Sequence, residues 1–156
     1  MFSLDDKFIF YSKLDENHRP RKIFRHEIGK SVQDDILIFE EKTKAFTVSI
    51  GLTSDEKYYL ITSSDHNTTE KYYFHVDEKI PEPKLIKERE KGIIYCINSW
   101  NNNFYMHTNK DAEDFKILVS KNINSNQWED FISAKEETLI GSLVFLNNWI
   151  IRTELT

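Results

Sequence analysis

Phe8–Gly29, FIFYSKLDENHRPRKIFRHEIG, holds an apolar run (Phe8, Ile9, Phe10, Tyr11), a polar turn from Asp15 to Pro20, and a second run from Lys22 to Ile28 that stops at Gly29. Aromatic and β-branched residues on both sides of turn chemistry predict a β-hairpin. The pattern returns at Lys57–Glu78 (KYYLITSSDHNTTEKYYFHVDE) and at Asn103–Lys121 (NFYMHTNKDAEDFKILVSK), and begins again at Asn148 (NWIIRTEL). Equivalent strand starts fall at Phe8, Tyr58, Phe104 and Trp149, which are 50, 46 and 45 residues apart. Four-stranded units of roughly 40–50 residues are the period of β-propeller blades. The expectation is therefore an all-β chain: a partial β-propeller of about three four-stranded antiparallel blades. Its units are placed at 1–41, 45–88, 93–133 and an incomplete 138–156. A β-sandwich of similar size is the other architecture that the strand pattern admits.

Within these units the strands are expected at Phe8–Lys13, Lys22–Ile28, Ile36–Phe39, Ala45–Leu52, Tyr58–Thr62, Lys71–Val76 and Lys84–Lys87. They continue at Ile93–Asn98, Phe104–Thr108, Phe115–Ser120, Trp128–Ile132, Leu139–Leu146 and Trp149–Thr153. Phe2–Leu4 is too short for more than the end of a strand, Lys30–Asp35 is a loop, and Ser133–Thr138 has room for one helical turn. Tyr58-Tyr59-Leu60-Ile61 is apolar on both faces, as suits an inner strand between neighbouring blades. The last strand of a unit is bracketed by charge (Asp34, Asp35, Glu40, Glu41; Lys84, Lys87), which predicts a solvated outer edge.

Composition narrows the classes of function. The chain of 156 residues carries 21 basic and 26 acidic residues, with the two signs interspersed, so no basic face points to nucleic acid. No apolar run approaches the roughly 20 residues of a membrane span. MFSLDDKF starts with acids where a secretory signal needs a basic start, and Cys96 is the only cysteine. Both suit a reducing, cytoplasmic location. Only four glycines are present, none close enough to another to cradle phosphate.

The residues of the first two units also carry a family resemblance. FIFYSKLDENHRPRKIFRHEIG, QDDILIFEEKTKAFTVSIG and the Thr68–Asp77 segment TTEKYYFHVD resemble the prolyl oligopeptidase family, most of all its oligopeptidase B (protease II) branch. The elements that carry the likeness are Arg25-His26-x-Ile28-Gly29, and Glu40-Glu41-Lys42 with Phe46 and Val48-Ser49. NFYMHTNKDAEDFKILVSK and QWEDFISAKEETLIGSLVFLNNWIIRTE continue it in order. The resemblance implies a cytoplasmic serine peptidase whose seven-bladed propeller sits over an α/β-hydrolase domain and admits only short peptides. The B-type enzymes cut after Arg or Lys. This chain maps inside the propeller, so short basic peptides would be met only through a complete enzyme. The implied partners are a separately encoded serine hydrolase domain or a second copy of the chain, whose exposed blade faces would otherwise lie uncovered.

No catalytic, cofactor or metal residue is assigned. The family nucleophile sits in a G-x-S-x-G elbow, which is absent; Gly141-Ser142 lacks the flanking glycines that the strained turn requires, and Ser142 reads as a strand residue. His26 and His75 fall 49 apart and read as repeat structure, while His66 and His107 suit a turn and a strand end. No zinc spacing is present. Cys96, between Tyr95 and Ile97, is expected as a buried thiol. Trp100, Trp128 and Trp149 are expected in core packing. The pairs Glu40-Glu41 and Glu136-Glu137 have the charge to attract a basic peptide, although a solvated edge is the plainer reading.

Overall fold

A computed structural model describes residues 1–156. It contains thirteen strands in four antiparallel sheets and no α-helix. The first sheet has β1 (Phe8–Leu14), β2 (Pro20–Glu27) and β3 (Ile36–Glu40), and Met1–Ser3 adds a stub of a further strand along β1 through Phe10 N to Met1 O. The second sheet has β4 (Thr47–Leu52), β5 (Tyr58–Ser64), β6 (Thr69–His75) and β7 (Lys84–Lys87). The third has β8 (Tyr95–Trp100), β9 (Asn103–Thr108), β10 (Lys116–Ser120) and β11 (Glu129–Ile132). The fourth pairs β12 (Leu139–Phe145) with β13 (Ile150–Leu155).

Three apolar clusters fill the seams, each drawn from two consecutive sheets. Phe10 and Ile23 meet Val48, Tyr59, Ile61 and Phe74. Tyr95, Ile97, Phe104, Met106 and Ile123 meet Tyr58, Tyr73 and Ile86. Tyr105 and Ile117 meet Ile140. The two middle sheets are therefore covered on both faces. That serial stacking is a propeller arrangement; a sandwich would close one core between two sheets. Alternation along β5 produces it, since Tyr59 packs on Phe10 of the first sheet and Tyr58 packs on Phe104 of the third. Each fully buried large side chain stabilises its seam by roughly 1.5–3 kcal/mol gross.

Local sequence explains the turns. Asp15 and Asp65, at matching hairpin ends, each accept two backbone N–H groups with Oδ1, from Asn17 and Arg19 and from Asn67 and Thr68. Ser3-Leu4-Asp5-Asp6-Lys7-Phe8 and Thr53-Ser54-Asp55-Glu56-Lys57-Tyr58 form the same inner turn. The Ser3 and Thr53 hydroxyls donate to Asp5 and Asp55 and accept from the N–H of Phe8 and Tyr58. Asp6 and Glu56 both take left-handed backbone, φ 56° and 57°. This repeat is plain in the residues and marks the unit more sharply than the hydrophobic runs.

Several expectations are corrected. The second strand of the third unit begins at Asn103, one residue before the expected Phe104, because its inner turn is only Asn101-Asn102: Trp100 pairs directly with Asn103. Phe104 then faces the second sheet as Tyr59 faces the first. Ser133–Thr138 is a tight turn closed by a bridge between Lys135 and Thr138, with no helical turn. The loop before β3 holds a short 3-10 turn, Val32–Asp34, capped by the Ser31 hydroxyl. Cys96 is exposed, because the alternation along β8 turns Tyr95 and Ile97 into the second seam and Cys96 away from it. Trp149 is 71 % exposed, at the turn before β13 on a face that no further sheet covers.

Candidate functional site

The seam between the first two sheets holds the densest polar chemistry, at both of its ends. At one end Arg89, just beyond β7, folds back between two carboxylates. Its Nη2 lies 2.7 Å from Glu41 Oε2 and also bonds Glu70 Oε2, while Nε donates to the same Glu70 oxygen at 3.1 Å. The Arg89 backbone N–H donates to Glu70 Oε1, and the guanidinium lies 4.1 Å from the centre of the Phe46 ring. Glu41 accepts further bonds from the Ser63 hydroxyl and the Thr43 N–H, and Glu70 accepts from the Tyr72 hydroxyl.

Glu41 is only 4 % exposed. Burial pushes its carboxyl up, but hydrogen bonds from Ser63, Arg89 and Thr43 outweigh that and hold it at about 2. Glu70 is lowered in the same way, burial being outweighed by Arg89 and Tyr72. Burial and the Glu70 carboxylate raise the Tyr72 phenol to about 12. Every acceptor is occupied, so the cluster is a clamp between sheets and not a docking point for a basic peptide. It also corrects the reading of Glu40-Glu41 as a solvated pair: Glu40 is exposed beside Lys22, whereas Glu41 is buried.

At the other end of the seam a cavity of about 260 Å³ opens beside Arg25. Arg25 is 8 % exposed, donates from Nη1 to Lys79 O at 2.8 Å, and lies 4.3 Å from the centre of the Phe8 ring. Burial lowers its pKa, and Glu27 opposes that only through space. A second buried cation, Lys71, bonds the Thr62 hydroxyl, and burial lowers its pKa too.

The histidines are dispersed. His26 Nδ1 lies 2.6 Å from Asp35 Oδ1, and the Tyr11 hydroxyl donates to Asp35 Oδ2 at 2.6 Å, on the open face of the first sheet. The Tyr11 bond, and secondarily His26, lower Asp35, and Asp35 raises Tyr11 to about 12. Asp35 is therefore tied down and not part of a freely solvated edge. His26 pairs with Ile9 but His75 with Tyr58, so the two sit one register step apart and are not equivalents; Glu27 holds the place of His75. His107 Nε2 donates to Ile140 O at 2.7 Å and joins the third sheet to the fourth. His66 is exposed in the β5–β6 turn. No three His, Cys, Asp or Glu side chains gather as a metal set.

Ser142 lies on β12, where its hydroxyl is 3.5 Å from Thr153 Oγ1 and meets no histidine. Trp128 packs on the second cluster, and Trp100 packs on the third while its Nε1 donates to Leu146 O. Glu136 and Glu137 are exposed in the turn before β12. The buried Arg89 clamp and the Arg25 cavity were beyond sequence reading. The only signal for the first is an acid directly following an outer strand in each of two units (Glu41, Glu88), and just one of these is buried.

Residues 3–156 match the family model described as the N-terminal β-propeller domain of prolyl oligopeptidase. The chain is 35 % identical over 111 residues to Protease 2 of Moraxella lacunata, covering 71 % of this chain and 16 % of that protein. It superimposes on oligopeptidase B of Leishmania major with TM-score 0.92 at 21 % identity, covering 99 % of this chain and 22 % of the other. For oligopeptidase B of Trypanosoma brucei with bound antipain the TM-score is 0.88 at 22 % identity, with 96 % and 22 % covered. The chain thus spans about a fifth or less of the length of these relatives. A match running from Ser3 to Thr156, carried by four sheets stacked in series, means that the chain belongs to the prolyl oligopeptidase family, within its N-terminal β-propeller domain.

Proposed function

We propose that this chain is the substrate-gating propeller portion of an oligopeptidase B-like cytoplasmic serine peptidase that cuts short peptides after Arg or Lys, and that it is inactive alone. The family match over residues 3–156 carries the reading, supported by the likeness to Protease 2. No G-x-S-x-G elbow occurs in the sequence, and Ser142 has no base beside it. No helix is long and apolar enough to cross a membrane. The purified chain is expected to release no reporter from a short Arg-terminated peptide, alone and at any concentration. Release that a serine-directed inhibitor blocks would overturn the reading.

A second reading, an interaction module that docks onto a separately encoded hydrolase domain or onto itself, is favoured by one observation. Val144, Trp149, Ile151 and Leu155 of the fourth sheet are all exposed. Apolar surface of this kind drives association. Trp149→Ser combined with Ile151→Ser is expected to weaken self-association at least tenfold, about 1.4 kcal/mol, with little change in unfolding temperature. Sedimentation showing a monomer at all concentrations for the unmodified chain would exclude self-association.

A further inference from the structure

The buried Arg25 has no role in the clamp and no carboxylate within ion-pair distance, although three acids stand nearby. Asp5, Asp77 and Glu78 all line the same cavity. Asp5 is held by the Ser3 hydroxyl and the Lys7 N–H, and Glu78 accepts from the N–H groups of His75 and Glu82. Each is thereby tied to its own loop. The guanidinium has five donors in a fixed fork, and only Nη1 has a protein acceptor, Lys79 O. Tyr59, also in the wall, accepts the Leu4 N–H on its hydroxyl and has no acceptor for its own proton. Phe10, Tyr59 and Phe74 supply a buried aromatic wall.

We propose that this cavity binds a free apolar α-amino acid of about the size of leucine. The carboxylate pairs with the Arg25 fork and the Tyr59 hydroxyl, the geometry that makes Arg–carboxylate recognition specific. The side chain lies against the aromatic wall, and the ammonium faces Asp5, Asp77 and Glu78. A cation at the bottom and anions around it select a zwitterion and repel a compact multivalent anion such as phosphate. The volume, below the roughly 300–1,000 Å³ of sites for drug-sized ligands, restricts the guest to a small molecule.

The test is calorimetric titration of the full chain with L-leucine, L-leucinamide, isovalerate and inorganic phosphate. Saturable binding of leucine is expected, at least tenfold weaker binding of leucinamide and of isovalerate, and none of phosphate. Arg25→Lys, which keeps the charge but loses the fork, is expected to cost at least tenfold. Asp77→Asn, at an exposed position without packing, should weaken leucine but not isovalerate. Leucinamide binding as tightly as leucine, or no saturable heat with leucine, overturns the proposal. The ligand series decides on the unmodified chain even where Arg25→Lys lowers stability.

Discussion

Arg89→Met is expected to cost about 3–5 kcal/mol of unfolding free energy at pH 7, the range for breaking a buried pair and leaving charge behind. The variant strands Glu41 and Glu70 together, two buried carboxylates that share one guanidinium nitrogen in the native chain. The pH dependence gives the cause. In the native chain Glu41 is held at about 2 against an ordinary 4.5. Its contribution is therefore complete above 4.5 and is lost as the pH falls towards 2. In the variant the crowded carboxylates resist ionisation, so acid relieves them. The stability difference in urea should be widest at neutral pH and shrink below pH 4. Glu41→Gln with Glu70→Gln on the Arg89→Met background should restore most of the loss. A difference that stays constant with pH would show that packing on Phe46, and not charge, is what Arg89 provides.

Phe74→Ala is expected to cost about 3–5 kcal/mol, or roughly 6–20 °C in unfolding temperature for a domain of this size. Phe74 is 1 % exposed and touches both Phe10 and Tyr59, so its removal opens the first seam from within. Trp149→Ala removes a larger ring from an exposed turn and should leave the unfolding temperature within about 1–2 °C. Thermal denaturation of the two variants separates the seam from the open face. Equal losses would mean that the fourth sheet is packed in solution.

The four-unit repeat was readable because turn chemistry and hydrophobic runs recur at a nearly fixed interval, and the family likeness followed the same stretches. Position within a strand was less readable. The hydrophobic runs alone put Phe104 and His26 one residue out, and with a side-chain period of two that exchanges the two faces of a sheet. Cys96 departs from expectation for a related reason, since its apolar neighbours Tyr95 and Ile97 bury themselves and turn it outward. Trp149 looks like core by type, but burial there depends on a neighbouring sheet and not on the residue. Glu41 failed in the opposite sense. Its distant partners lie 22 and 48 positions away, at Ser63 and Arg89, and only the fold brings them together. The Arg25 cavity is a void, for which no residue pattern codes.

The latches between neighbouring sheets are unevenly distributed. Asp55 takes a hydrogen bond from Ser99, Ser54 and Asn98 exchange two more, and Lys57 reaches Asn102, all across the second seam near the inner turns. Across the third seam the polar ties are fewer: His107 and Asp114 O to Ile140, and Trp100 to Leu146 O. Pulled from both ends, such an arc would peel in sequence like a strip of perforated card. The last hairpin would come away first, while the first three sheets held together as a stiff wedge.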